Sequence, residues 1–106
     1  MSLPEISVTE LAERLAAGAV LFDVRNHDEY EEAHARPARL VPLPEVPSRL
    51  AEFPVDGEVL VICRSGGRSG QAVGFLRDNG VDAINVVGGM LAWIAAGQPV
   101  ETGGTA

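Results

Sequence analysis

The sequence predicts an α/β domain, a mostly parallel sheet covered by helices on both faces, and three observations carry that prediction. Short apolar runs rich in Val and Ile alternate along the chain with stretches whose apolar residues recur at helical spacing. Those runs are apolar throughout rather than at every second residue, as strands buried on both faces require. Three of the helical stretches run into a glycine, at Gly18, Gly80 and Gly97, so the chain can turn back toward the next strand.

The first helix is expected from about Thr9 to Ala17. Ser7 and Glu10 have capping-box spacing, and Leu11, Leu15 and Ala16 share one face before Gly18. Val20 to Val24 reads as a buried strand whose end emerges in charge at Asp23 and Arg25. Asn26 with Glu29 can cap a short helix from Asp28 to His34. An irregular Arg36-Pro37-Ala38-Arg39 connection follows. Leu40, Val41 and Leu43 suggest a short strand limited by Pro42 and Pro44, and Glu45 to Phe53 carries a weak helical pattern. Val59 to Ile62 is the central strand, and a helix begins near Ser69 and is closed by Gly80, with Ala72, Val73, Phe75 and Leu76 on its apolar face. Ala83 to Val87 is the next strand and Met90 to Ala96 the last helix. Glu101 to Ala106 is small and polar and is expected to be a frayed tail. The 106 residues predict one domain, 1–106, with no repeat or linker.

Composition removes several function classes. Eight Arg stand against fifteen acids, a net charge of -7, which argues against nucleic acid as a partner. There is no Lys, so neither a Walker-type phosphate loop nor Schiff-base chemistry is available. The single Cys excludes an internal disulfide, a resolving cysteine and a multi-Cys zinc site, and it suits a reducing compartment. No apolar run approaches the length of a membrane span, so the expectation is a soluble cytoplasmic protein with no membrane partner.

Chemistry concentrates where the central strand ends. Cys63 closes the apolar run, and the glycines Gly66, Gly67 and Gly70 mark a tight loop that leads into a helix. A strand end that feeds a helix start collects inward-pointing amides, and in parallel sheets ligands bind at the carboxyl ends of strands. Cys63 and the Asp23-Val24-Arg25 segment are both at such ends. A lone Cys is commonly an inert small hydrophobe. The Gly-rich, Arg-bearing loop favours a reactive one.

Three segments occur in order: Asp23-Val24-Arg25 with Glu29-Tyr30, then Cys63-Arg64-Ser65-Gly66-Gly67-Arg68-Ser69, then Gly88-Gly89-Met90-Leu91-Ala92-Trp93. They resemble the D-x-R…E-[FY], C-x-x-G-x-R-S and G-G-x-x-A-W segments of the single-domain rhodanese-like sulfurtransferases, across roughly the whole chain. One stretch departs, since Ala33-His34-Ala35-Arg36-Pro37-Ala38 stands where that family has G-H-I-P-G-A. The resemblance implies a three-layer α/β/α fold with a central five-stranded parallel sheet. It further implies transfer of a sulfane sulfur from a small anionic donor such as thiosulfate to a thiophilic acceptor, through a Cys63 persulfide and without a cofactor or metal. The acceptor would be cyanide in an assay and a thiol or protein cysteine in a cell. Arg64, Ser65, Gly66, Gly67, Arg68 and Ser69 would form the anion-binding active loop, with Asp23 and Arg25 supporting it.

Such a nucleophile needs its anion stabilised: lowering a thiol pKa by about two units takes roughly 2.7 kcal/mol. Helix N-terminal amides at up to ~2 kcal/mol and charge-assisted hydrogen bonds at about 1.5 to 3 kcal/mol each can supply that, so no general base is required. Neither His27 nor His34 lies near the loop in sequence. Arg68 is expected to shape the loop by pairing with Asp23, Arg64 to meet an anionic donor, and Arg25 to pair with Glu29. His34 reads as a capping or packing residue, Trp93 and Phe75 as core, and the acidic run Asp28, Glu29, Glu31, Glu32 as a solvated helix face. The rival to sulfur transfer is a related phosphatase or arsenate reductase. It would need C-x-x-x-x-x-R, one residue longer than the six from Cys63 to Arg68, and position 69 is Ser. A binding or regulatory module built on the same fold is the other alternative.

Overall fold

The computed structural model describes residues 3–104. Among them the elements are β1 (Glu5–Ile6), α1 (Val8–Ala16), β2 (Val20–Asp23), α2 (His27–Glu32), β3 (His34–Ala35), β4 (Arg39–Leu40), β5 (Glu58–Ile62), α3 (Gly67–Asp78), β6 (Asp82–Val86), α4 (Gly89–Ala95) and β7 (Val100–Glu101). Five strands form one parallel sheet in the order β1-β6-β5-β2-β4. Strand β5 lies at its centre, with Asp23 of β2 beside Ile62 and Asn85 of β6 beside Val61.

The continuous apolar runs are explained by two cores, one on each face of the sheet. Leu60 and Ile62 of β5 pack with Leu11, Tyr30, Met90 and Trp93 beneath α1, α2 and α4. Val59, Val61 and Cys63 point the other way, into a cluster with Phe22, Phe53, Ala72, Val73 and Leu76 beneath α3. Strand alternation thus sends every residue of the run into one core or the other, and Val59 through Ile62 are fully buried.

The helix boundaries follow the local capping chemistry. The Ser7 hydroxyl accepts the Glu10 amide at 3.1 Å and opens α1, while the Glu29 carboxylate accepts the Asn26 amide at 3.1 Å and opens α2. Helix α2 ends at Glu32, earlier than the expected His34, because His34 leaves the helix to pair in β3. Helix α3 begins at Gly67 rather than near Ser69. The expected strand around Leu40 and Val41 is the two-residue β4, and Leu43 instead begins a 3-10 turn, Leu43–Glu45. The weak pattern from Glu45 to Phe53 becomes a second 3-10 segment, Pro47–Glu52.

The expected tail is partly a strand. Val100 and Glu101 form β7, antiparallel to β3, and the Glu101 carboxylate pairs with Arg36 and lies 3.5 Å from His34 Nε2. The Gly103 amide then donates to the Glu31 carbonyl at 2.6 Å, while Thr105 and Ala106 lie outside the described residues. His34 is buried here, stacked on Tyr30 at 3.8 Å between ring centres, with Nδ1 2.8 Å from the Tyr30 carbonyl oxygen. Among the described residues no helix is long and apolar enough to cross a membrane.

Candidate active site

The site forms at the carboxyl ends of β2, β5 and β6. Strand β5 delivers Cys63 to the sheet edge, the loop turns through Gly66, and α3 starts at Gly67. Gly66 sits at φ +111°, a left-handed conformation that side-chain-bearing residues rarely adopt. That turn aims the Gly66 amide back at the sulfur, with N 3.0 Å from Cys63 Sγ. From the first turn of α3, the buried Ser69 places its hydroxyl oxygen 3.2 Å from the same sulfur.

A second helix start holds the loop from behind. The amides of Met90 and Leu91, in the first turn of α4, donate to the carbonyls of Cys63 at 2.8 Å and of Arg64 at 3.0 Å. First-turn amides have no partner inside their own helix, so the loop carbonyls satisfy them. Close approach is possible because Gly89 has no side chain: a Cβ there would stand 2.4 Å from the Cys63 carbonyl oxygen. The expectation of a turn at Gly88-Gly89 near the loop is met in this way.

Burial pushes the Cys63 thiol up. The Ser69 hydroxyl and the amides of Ser69, Gly66 and Ser65 outweigh it, and the thiol lies below the ordinary thiol value. Cys63 itself is 1% exposed. Neutral donors thus outweigh burial at the sulfur.

The charged partners are exchanged relative to expectation. Arg68 does not pair with Asp23; its guanidinium meets Glu29 in a two-pronged contact, 2.7 Å to Oε1 and 2.9 Å to Oε2. Arg25 does not pair with Glu29; it binds the fully buried Asp23, 2.7 Å from Nη2 to Oδ2, and donates to the Ala33 carbonyl at 2.7 Å. The physical reason is reach. Arg25 and Asp23 lie on the same side of one extended strand end, where the Arg25 amide also binds the Asp23 carboxylate at 3.0 Å. Glu29, opening α2, is left facing α3. The Glu29–Arg68 hydrogen bonds hold the Glu29 carboxyl down at about 2, and they raise the Arg68 pKa.

Arg64 is the one arginine that makes no ion pair among the described residues. With Arg25, Glu29, Met90, Leu91 and Ile94 it lines an open depression of about 330 Å³ beside the loop. No group of three or more His, Cys, Asp or Glu among the described residues could hold a metal ion. Glu29, expected to pair with Arg25 and otherwise read as part of a solvated acidic face, takes Arg68 instead. One contributor escaped the sequence reading: Asn85 of β6, which contacts Ser69 and Gly66 from beneath the loop. The signal for Asn85 was present as the one polar residue in the Ala83–Val87 run.

The chain belongs to the family of rhodanese-like domains, whose model matches residues 7–96. It is 35% identical over 99 residues to a sulfurtransferase of Allochromatium vinosum, covering 91% of this chain and 92% of that protein. It is also 39% identical over 105 residues to the HTH-type transcriptional regulator Rv0324 of Mycobacterium tuberculosis. That match takes in 94% of this chain and 46% of the regulator's length. The crystal structure of a rhodanese-like domain protein from Staphylococcus aureus superposes with a TM-score of 0.87 at 31% identity, covering 96% of this chain and 100% of that one. The fold is therefore the rhodanese-like fold expected from the sequence.

Two substitutions test this geometry. Gly89→Ala drives a methyl group into the Cys63 and Arg64 carbonyls, so the loop shifts and alkylation of Cys63 at neutral pH slows at least about tenfold. An unchanged alkylation rate would show that α4 does not set the loop. Glu29→Gln removes a carboxylate whose folded value near 2 lies below its ordinary 4.5, so its stabilisation is complete above pH 4.5 and is lost as pH falls toward 2. Urea midpoints of the variant and parent therefore differ above pH 4.5 and converge near pH 2. The full-strength difference is about 3 kcal/mol before screening by the solvent that reaches both side chains.

Proposed function

We propose that the protein moves sulfane sulfur through a persulfide on Cys63. The observation that carries this reading is the sulfur held at the end of a buried strand, 3.0 Å from the Gly66 amide and 3.2 Å from the Ser69 hydroxyl. The thiolate attacks the outer sulfur of a donor such as thiosulfate; the Sγ–S bond forms, and the donor's S–S bond breaks with its electron pair leaving on sulfite. No proton transfer is needed. An acceptor thiolate, or cyanide in an assay, then attacks the outer sulfur, the Sγ–S bond breaks, and Cys63 returns as thiolate.

Arg64 is assigned to the anionic donor, because the other arginines are engaged in ion pairs. Arg68 is assigned to loop shape, because Glu29 takes both of its prongs. This also weighs against phosphoryl transfer, in which an arginine at the loop's end must face the substrate oxygens. The named sulfurtransferase relative, matched over nearly its whole length, supports the same reading.

A recognition module is the second reading, and it draws on the regulator of which this chain spans 46%. Intact mass after incubation with thiosulfate separates the two. The sulfur-transfer reading expects a gain of one sulfur atom, removed by cyanide and absent in Cys63→Ser. An unmodified parent protein, or a Cys63→Ser variant that still forms thiocyanate, contradicts it.

A further inference from the structure

The Ser69 hydroxyl has one proton and two claimants. Its oxygen lies 3.2 Å from Cys63 Sγ and 2.5 Å from Asn85 Oδ1. A carbonyl oxygen has no proton, so an O···O separation that short requires the Ser69 hydrogen to lie between the two oxygens. Turning the Asn85 amide over would not relieve this. Its Nδ2 donates to the Gly66 carbonyl at 3.3 Å, and the turned amide would set two carbonyl oxygens against each other there. Both side chains are buried, Ser69 at 0% and Asn85 at 6% exposure, so water does not supply a spare donor.

We propose that Asn85 is a positioning residue that competes with the Cys63 sulfur for the single hydroxyl proton of Ser69. In the thiol form Ser69 donates to Asn85 Oδ1 and presents a lone pair to the sulfur, from which the S–H can donate. When the thiol loses its proton, the Ser69 hydrogen turns to the thiolate, Asn85 Oδ1 gives it up, and the two oxygens draw apart from their 2.5 Å separation. When sulfur is bound to Sγ, the negative charge moves outward and the hydrogen returns to Asn85. No bond other than hydrogen bonds changes in this exchange. Asn85 thus weakens the thiolate's hydrogen bond from Ser69, while its Nδ2 holds the Gly66 carbonyl on the far side of the loop turn. The role rests on the sulfur-transfer reading only in taking the thiolate as the working form.

The charged groups around the sulfur are Arg68 from α3, Glu29 from α2, Asp23 and Arg25 at the end of β2, and Arg64 within the loop. Glu29, held down at about 2, and Arg68, raised by the same pair, keep their charge through the pH range of thiol titration, so they offset its midpoint without adding steps.

The test is a thiolate titration of Cys63, followed by ultraviolet absorbance, in a double-substitution cycle. Asn85→Leu should lower the midpoint by about one unit, about tenfold more thiolate at pH values below it. In a Ser69→Ala background the same substitution should change nothing. A midpoint that rises, or a shift of equal size in both backgrounds, overturns the role, because either result means that Asn85 acts only by shaping the loop. The unmutated protein supplies a second readout that is independent of whether the variants fold. The Asn85 carboxamide resonances should titrate with the Cys63 midpoint, and resonances that stay flat would overturn the proposal. These readouts do not involve sulfur, so a shifted titration in a protein that transfers none would remove the sulfur-transfer reading and leave the role of Asn85 intact.

Discussion

The site depends on two carbonyls being turned away from the sulfur. The first-turn amides of α4 hold the Cys63 and Arg64 carbonyl oxygens at 2.8 and 3.0 Å, which fixes the peptide planes at the start of the loop. With the Arg64 oxygen facing α4, the Ser65 amide, on the opposite edge of the same trans peptide plane, faces the sulfur. Helix α4 thereby satisfies its own orphan donors and orients the loop in one set of contacts, while the first turn of α3 directs its amides inward. Gly89 is required because the two backbones approach too closely for any Cβ.

Stabilisation of the thiolate follows from those dipoles more than from net charge. Arg68, the nearest cation along the helix, is neutralised by Glu29, and Arg25 by Asp23. Each pair clamps two elements: Glu29–Arg68 joins α2 to α3, and Arg25 bridges the end of β2 to the end of α2 through Asp23 and the Ala33 carbonyl. The ion pairs are therefore scaffolding, and Arg64 alone among the arginines is left without an ion pair among the described residues. In an acidic protein of net charge -7 such a local cation can direct a small anion to one place.

Most of the fold was legible because its signals are local. The Val59–Ile62 run, the caps at Ser7 and Asn26 and the glycine stops each follow from a few neighbouring residues, and the lone Cys at a strand end followed by glycines marked the site. The two-residue strands β1, β3 and β7 were not legible, since two residues carry no period and their partners lie far off in sequence. The choice of partner for Arg68 was hidden for a related reason. Glu29 is 39 positions away, and only the register that sets β2 beside β5 decides whether it or Asp23 faces the guanidinium. Asn85 showed as a polar interruption in a buried strand. Its competition for one proton depends on distances that no spacing rule contains.

The six residues from Cys63 to Arg68 close a loop just large enough, on this account, to enclose one sulfur atom beyond Sγ. A crystal structure of the thiosulfate-treated protein measures this directly. The account predicts one additional sulfur bonded to Cys63 Sγ, enclosed by loop amides, with the Arg68–Glu29 pair and the α4 contacts to the loop carbonyls unbroken. An added sulfur lying outside the loop, or a loop that must break its contacts with α4 to admit it, would contradict the account.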